Sequence, residues 1–133
     1  MEDYLKDLMK ELSWIGERAA ARGKRLNTIY IGGGTPTTLE EGQLERLLSH
    51  IDRCFSRESL LEYTVEAGRP DSITEGKLKA LKGHGITRIS INPQTMQQRT
   101  LDLIGRGHTA EEIEDSFHMA RSLGFDNSNM DLI

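Results

Sequence analysis

The sequence predicts an α/β fold of about four parallel strands with helical crossovers, a piece of a longer (β/α) barrel. Three observations carry this. Helical and strand patterns alternate along all 133 residues in the order αβαβαβαβ. The chain opens on an amphipathic helix with no preceding strand for its apolar face to cover, and it ends on an apolar strand that no helix follows. Barrel closure ties strand tilt and shear to about eight strands. The expectation is therefore the central part of a barrel domain, residues 1–133, truncated at both ends. A complete four-stranded open α/β domain is the alternative architecture.

Each element has its own signal. From Tyr4 to about Ala20, the apolar residues Leu5, Leu8, Met9, Leu12, Ile15 and Ala19 form a helical stripe, and Gly23, Lys24 and Arg25 mark its end. Thr28-Ile29-Tyr30-Ile31 reads as a buried parallel strand that stops at the glycines 32–34. The spacing Thr38-Leu-Glu-Glu41 predicts a capping box and a helix with Leu44, Leu47, Leu48 and Ile51 inward. A strand from Leu61 to Ala67 is ended by Gly68-Arg69-Pro70, and a helix from Thr74 to Lys82 is stopped by Gly83 and Gly85. A third strand runs from Thr87 to Asn92 and is closed by Pro93, with a short helix near Gln97 to Ile104 after it. Thr109 and Glu112 predict a second capping box, for a helix bearing Ile113, Phe117, Ala120 and Leu123, with Gly124 as a left-handed cap. Residues Asn129 to Ile133 read as the fourth strand.

Composition narrows the functions available. With 36% hydrophobic and 29% charged residues, the chain is that of a globular protein, and disorder is not indicated. No apolar run approaches the ~20 residues of a membrane span, and the first residues lack a basic leader. A net charge of −4 gives no footprint for a nucleic-acid backbone. The one cysteine, Cys54, excludes an internal disulfide or a thiolate metal cluster built from this chain alone, and it fits a reducing compartment. It reads as a small buried apolar residue. His50, His84, His108 and His118 match no zinc spacing and read as surface or helix-end residues; Glu111, Glu112, Glu114 and Asp115 read as a solvated first helical turn.

In parallel α/β proteins the C-terminal strand ends share one face, and chemistry gathers there. That rule picks out Gly33, Gly34 and Thr35 after the first strand, Glu66 at the end of the second, Gln94 after the third, Arg106 on the loop beyond the short helix, and Asp131 within the fourth. Three glycines after a buried strand let a ligand approach the backbone. They could also serve only as a tight turn. Neither GxxxxGK[ST] nor GxGxxG is present. Glu66 could be a solvated strand end and Gln94 a turn residue. Arg106 lies between two glycines, which lets its planar fork approach a carboxylate, though it could equally be a surface cation. Unpaired charge is rare within central parallel strands, which singles out Asp131.

Five segments in order carry a resemblance: Tyr30-Ile-Gly-Gly-Gly-Thr-Pro-Thr37, Val65-Glu-Ala-Gly-Arg-Pro70, Ile89-Ser-Ile-Asn-Pro-Gln-Thr-Met96, Gly105-Arg-Gly-His-Thr109 and Asn129-Met-Asp-Leu-Ile133. Over nearly its whole length the chain resembles the radical S-adenosylmethionine superfamily, and more narrowly its oxygen-independent coproporphyrinogen III oxidases (coproporphyrinogen dehydrogenases). The resemblance implies a partial TIM-like barrel with S-adenosylmethionine across the strand ends, bound to a [4Fe-4S] cluster. It assigns Gly33, Gly34 and Thr35 to the methionine amino end, and Glu66 to that amino group or a ribose hydroxyl. Gln94 and Asp131 fall to the ribose side and Arg106 to the methionine carboxylate. The cluster's CxxxCxxC ligands lie outside this chain, so the resemblance places no catalytic residue and no metal ligand here. The intact protein would be a cytoplasmic oxidoreductase. It would cleave S-adenosylmethionine to a radical that abstracts hydrogen from the propionates of coproporphyrinogen III, with a tetrapyrrole substrate and an electron donor as partners. The fragment alone is expected to be inactive and to self-associate along its open edge. Asn92-Pro93 and Gly68-Arg69-Pro70 depart from the usual pattern and bear on subfamily and substrate. Two other functions remain open: a haem chaperone built on the same barrel, and a generic α/β nucleotide-binding module.

Overall fold

Four strands lie side by side in chain order, each parallel to the next, in a computed structural model that describes residues 1–132. Ile133, expected in the last strand, lies outside the described residues. The strands are β1 (Thr28–Ile31), β2 (Glu62–Ala67), β3 (Arg88–Gln94) and β4 (Ser128–Leu132). The helices are α1 (Glu2–Ala21), α2 (Glu41–Cys54), α3 (Glu75–Gly83), α4 (Gln98–Leu103) and α5 (Ala110–Ser122). Short 3-10 turns, Pro36–Thr38 and Pro70–Ser72, follow β1 and β2.

Alternation along the strands assigns the two faces of the sheet. Tyr63, Val65, Ala67, Ile89 and Ile91 enter a core with Leu44, Leu48, Leu78 and Leu81 from the helices. β1, expected to be buried, is instead an edge strand: Thr28 and Tyr30 are exposed, and only Ile29 and Ile31 pack against the margin of the core. The opposite face is polar and bonded to itself across three strands. The Thr64 hydroxyl and the Arg88 Nη1 both donate to Glu62 Oε1, at 2.9 and 3.3 Å. Arg88 Nε donates to Asn129 Oδ1 at 3.1 Å, Asn129 Nδ2 to Ser90 Oγ at 2.9 Å, and Ser90 Oγ to Asn92 Oδ1 at 2.7 Å.

Several local expectations hold. Thr109 caps α5 through a 3.1 Å bond from the Glu112 N–H, and Glu112 answers by accepting from the Thr109 N–H at 2.7 Å. Gly124 takes φ +85°, the left-handed end of that helix. Thr74 caps α3 in the same manner, accepting from the Lys77 N–H.

Four expectations are corrected. Thr38 does not cap α2: its hydroxyl donates back to the Thr35 carbonyl at 2.7 Å, closing the 3-10 turn, and Glu40 becomes the cap, its N–H donating to the Gln43 side chain. Glu41 instead accepts from the Thr74 hydroxyl at 2.9 Å. Pro93 does not end β3, which runs on to Gln94; the β3–β4 register shifts between Ile91 and Gln94, where a residue lacking an N–H can be absorbed. Ile15, placed in the apolar stripe of α1, is exposed.

Of the histidines, His118 is exposed and His84 stands at the C-terminal end of α3, as the surface or helix-end reading expects, whereas His108 departs from it. His84, mostly buried, is hydrogen-bonded to Asp52 at 2.6 Å and Glu45 at 2.8 Å, tying the end of α3 to α2. Burial alone would lower its pKa, but the bonds to Glu45 and Asp52 outweigh it and raise the value. His50 lies between α1 and α2, 2.9 Å from Ser13 Oγ and 2.7 Å from the Met9 carbonyl. His108 is fully buried.

Candidate functional site

The candidate residues collect at the C-terminal strand ends, where the turns after β1 and β2 and the loop beyond α4 meet the sheet rim. After β1 the chain turns through Gly33 at φ +105°, a conformation side chains resist, and then through Thr35 at φ +59°. A β-branched residue in that region costs on the order of 1–3 kcal/mol unless the surroundings enforce it. Gln94 takes φ +69°. Thr35 and Gln94 are the non-glycine residues with positive φ among the described residues, and both stand at this rim.

A buried strut enforces the Thr35 turn. The ammonium of Lys77, on α3, donates to the Thr37 carbonyl at 2.7 Å and the Ser72 carbonyl at 3.1 Å, joining the two 3-10 turns. The Thr37 and Ser72 hydroxyls bond each other at 2.6 Å. Nothing in the sequence distinguished Lys77 from the solvated lysines around it, because its burial depends on the turns folding over it.

Two pairs form on the rim. Glu66 Oε2 accepts from the Gly33 N–H at 3.2 Å, while its other oxygen accepts from the Tyr30 hydroxyl. That bond, then burial, raise the Tyr30 pKa above 10.0. On the other side, Gln94 Nε2 donates to Asp131 Oδ2 at 3.2 Å. Asp131 Oδ1 is buried with no hydrogen-bond partner, an acceptor held ready. Arg106 shares a cleft of about 360 Å³ with Gln94, Thr95, Thr100 and Ile104, and its guanidinium pairs with no carboxylate among the described residues. A Cβ on Gly33 or Gly34 would meet nothing within 4 Å, so the space beside the turn is open. Glu66 with the glycine turn thus forms one cluster, and Gln94, Asp131 and Arg106 the other. His108, two residues beyond Arg106, has both ring nitrogens buried and unpartnered; burial first, and then Arg106, lower its pKa.

Comparison with known proteins identifies the family. Residues 6–133 match the family described as the Radical SAM superfamily. The chain belongs to the radical SAM superfamily. Among curated relatives it is 45% identical, over 98% of its length, to the "Oxygen-independent coproporphyrinogen-III oxidase-like protein HemZ" of Bacillus subtilis, of which it covers 26%. It is 41% identical over its full length to the "Heme chaperone HemW" of the same organism, covering 35% of that protein. The solved radical SAM enzyme HemN, a coproporphyrinogen III oxidase from Escherichia coli, superposes on 98% of the chain with a TM-score of 0.87 at 29% identity, and the chain covers 30% of it. The four parallel strands and their helices are thus a fragment of a radical SAM, TIM-like barrel fold. The chain spans about a quarter to a third of the length of these relatives.

Membership in the superfamily implies S-adenosylmethionine and a [4Fe-4S] cluster. The rim suits the first: the Glu66 carboxylate, the Asp131 carboxylate with its orphaned oxygen and the unpaired Arg106 guanidinium complement a zwitterion with a diol. It does not suit the second. Among the described residues no group of three or more His, Cys, Asp or Glu could hold a metal. Cys54 is half-buried at the end of α2, 3.9 Å from Ser13 Oγ. No helix among the described residues is long and apolar enough to cross a membrane.

Proposed function

We propose that this chain is the S-adenosylmethionine-holding part of a tetrapyrrole-handling radical SAM protein, whose whole is a cytoplasmic oxygen-independent coproporphyrinogen III oxidase. One observation carries the reading: the buried Asp131 Oδ1 without a partner, bonded through its other oxygen to Gln94, which shares a cleft with the unpaired Arg106. Arg106 would grip the methionine carboxylate in a fork, and Glu66 with the Gly33–Thr35 turn would take the ammonium. Gln94 and Asp131 would hold the ribose hydroxyls. Leaving any one of these partners unpaired would cost about 1–3 kcal/mol of binding. The chemistry S-adenosylmethionine supplies when bound is hydrogen-atom abstraction, here from the propionates of coproporphyrinogen III. This chain's residues bind, orient and exclude water. The cluster's cysteines and the tetrapyrrole and electron-donor contacts belong to the rest of the protein.

A second reading, a haem chaperone, is favoured by identities of 41% and 43% to proteins named "Heme chaperone HemW". Anaerobic assay of the full-length, cluster-reconstituted protein separates the two. Conversion of coproporphyrinogen III to protoporphyrinogen IX supports the oxidase; haem binding without turnover supports the chaperone and overturns the oxidase. Failure to bind S-adenosylmethionine overturns both.

A further inference from the structure

The first glycine of the triplet, Gly32, has no positive φ to explain it, and its reason lies across the strand pair. A Cβ there would stand 2.5 Å from a Tyr30 ring carbon and 3.0 Å from the Glu66 carboxyl carbon. The phenol ring and the carboxyl group lie together over the Gly32 backbone, so close that a side chain there would push one of them aside. Tyr30 and Glu66 occupy the polar face of the sheet, since Ile29 and Ile31 on either side of Tyr30 pack toward the core. From that face the Tyr30 hydroxyl donates to Glu66 Oε1 while the Gly33 N–H donates to Oε2. Each carboxylate oxygen thus receives one donor from the protein and keeps one lone-pair direction for a ligand.

We propose that Tyr30 is a positioning residue for Glu66, fixing the carboxylate in the one orientation from which both oxygens can receive the ammonium of an aminoacyl ligand. The inference rests on the S-adenosylmethionine reading above. A half-exposed glutamate on its own samples several rotamers, and binding would have to freeze them. The phenol holds it beforehand through a bond to a charged acceptor, among the stronger hydrogen bonds a side chain makes. Because that bond raises the Tyr30 pKa, the hydroxyl remains a donor through neutral and mildly alkaline pH. The aromatic ring supplies reach: from β1 it spans the strand spacing to a residue two positions beyond its own β2 partner, Thr64.

The test is titration calorimetry on the full-length protein with two ligands, S-adenosylmethionine and 5′-methylthioadenosine, which lacks the amino-acid portion. Tyr30→Phe keeps the ring over Gly32 and removes only the donor. It is expected to weaken S-adenosylmethionine about tenfold, the low end for losing a hydrogen bond to a charged group. Its affinity for methylthioadenosine should stay within about twofold of wild type on the same reasoning. Tyr30→Phe combined with Glu66→Ala should bind S-adenosylmethionine no more weakly than Glu66→Ala alone, since Tyr30 acts through the carboxylate. Wild-type affinity in Tyr30→Phe, additive losses in the double variant, or equal losses on both ligands would each overturn the proposal and leave the S-adenosylmethionine reading standing. A wild-type protein that binds neither ligand would overturn both.

Discussion

Asp131→Asn should separate binding from stability. In the unliganded chain, Asp131 Oδ2 is matched by the Gln94 amide at 3.2 Å, and Oδ1 is buried with nothing to accept from. A buried unmatched polar atom costs about 1–3 kcal/mol, toward the upper end when it carries charge. Asparagine can turn its oxygen toward Gln94, keeping that bond, and it removes the charge from the buried position. The unliganded protein should therefore hold its stability or gain up to about 1 kcal/mol. Binding should move the other way. On the proposed reading a charged acceptor for a ribose hydroxyl is replaced by a neutral amide, and losing about 1–3 kcal/mol corresponds to roughly 5- to 150-fold in affinity. Urea denaturation and S-adenosylmethionine calorimetry on the full-length protein read the two quantities. A variant destabilised by more than about 1 kcal/mol with affinity intact would refute the reasoning, because Asp131 would then be a structural residue.

Three further outcomes concern the strut, the helix layer and the sheet edge. Lys77→Met should destabilise by about 2–3 kcal/mol in urea denaturation, because the Thr37 and Ser72 carbonyls lose a charged donor; a cost under about 0.5 kcal/mol would show the strut to be dispensable. His84, its pKa raised above 6.5, contributes its stability fully below that value and loses it as pH rises through the raised one. Asp52 has its pKa lowered: burial would raise it, but the bonds from Arg57 and His84 outweigh that. Its contribution is present above 3.8 and lost as pH falls through the lowered value. The deficit of His84→Gln relative to wild type should thus be greatest near pH 5 and shrink toward pH 8.5, and a deficit independent of pH would contradict the pairing. The isolated 133-residue chain should self-associate through the open strand edges, where Leu132 is exposed; a single monomeric boundary in sedimentation at high concentration would argue otherwise.

Features fixed by near neighbours were legible from the residues alone. Thr109 and Glu112 lie three apart and bond each other whatever surrounds them, and the first strand occupies the four residues its β-branched run marks. Thr38 failed because it closes a 3-10 turn whose φ values no pattern reveals, and the helix begins only at Glu41 with Glu40 as its cap. Pro93 read as a terminator, since the shift in register that accommodates it belongs to the pairing with β4. The rim residues emerged from the rule that parallel strands share their C-terminal ends. Tyr30 escaped that rule: it sits before the strand end and acts by reaching past it. Its one signal was a large aromatic alternating with isoleucines that face the core. His108 and Lys77 escaped for the opposite reason, since burial of a polar side chain follows from distant segments folding over it.

Parallel strands are joined by long crossovers, so no tight hairpin pins their alignment. Here the chain Glu62, Arg88, Asn129, Ser90, Asn92 supplies the missing pin. Sliding β2, β3 or β4 by one residue would swing these charged and amide groups into a layer of leucines and isoleucines while stranding their partners. Wrong alignments are thereby penalised before any ligand arrives. The glutamate, the glutamine and the aspartate then come level with one another because the side chains beneath them admit only one way for β2, β3 and β4 to zip.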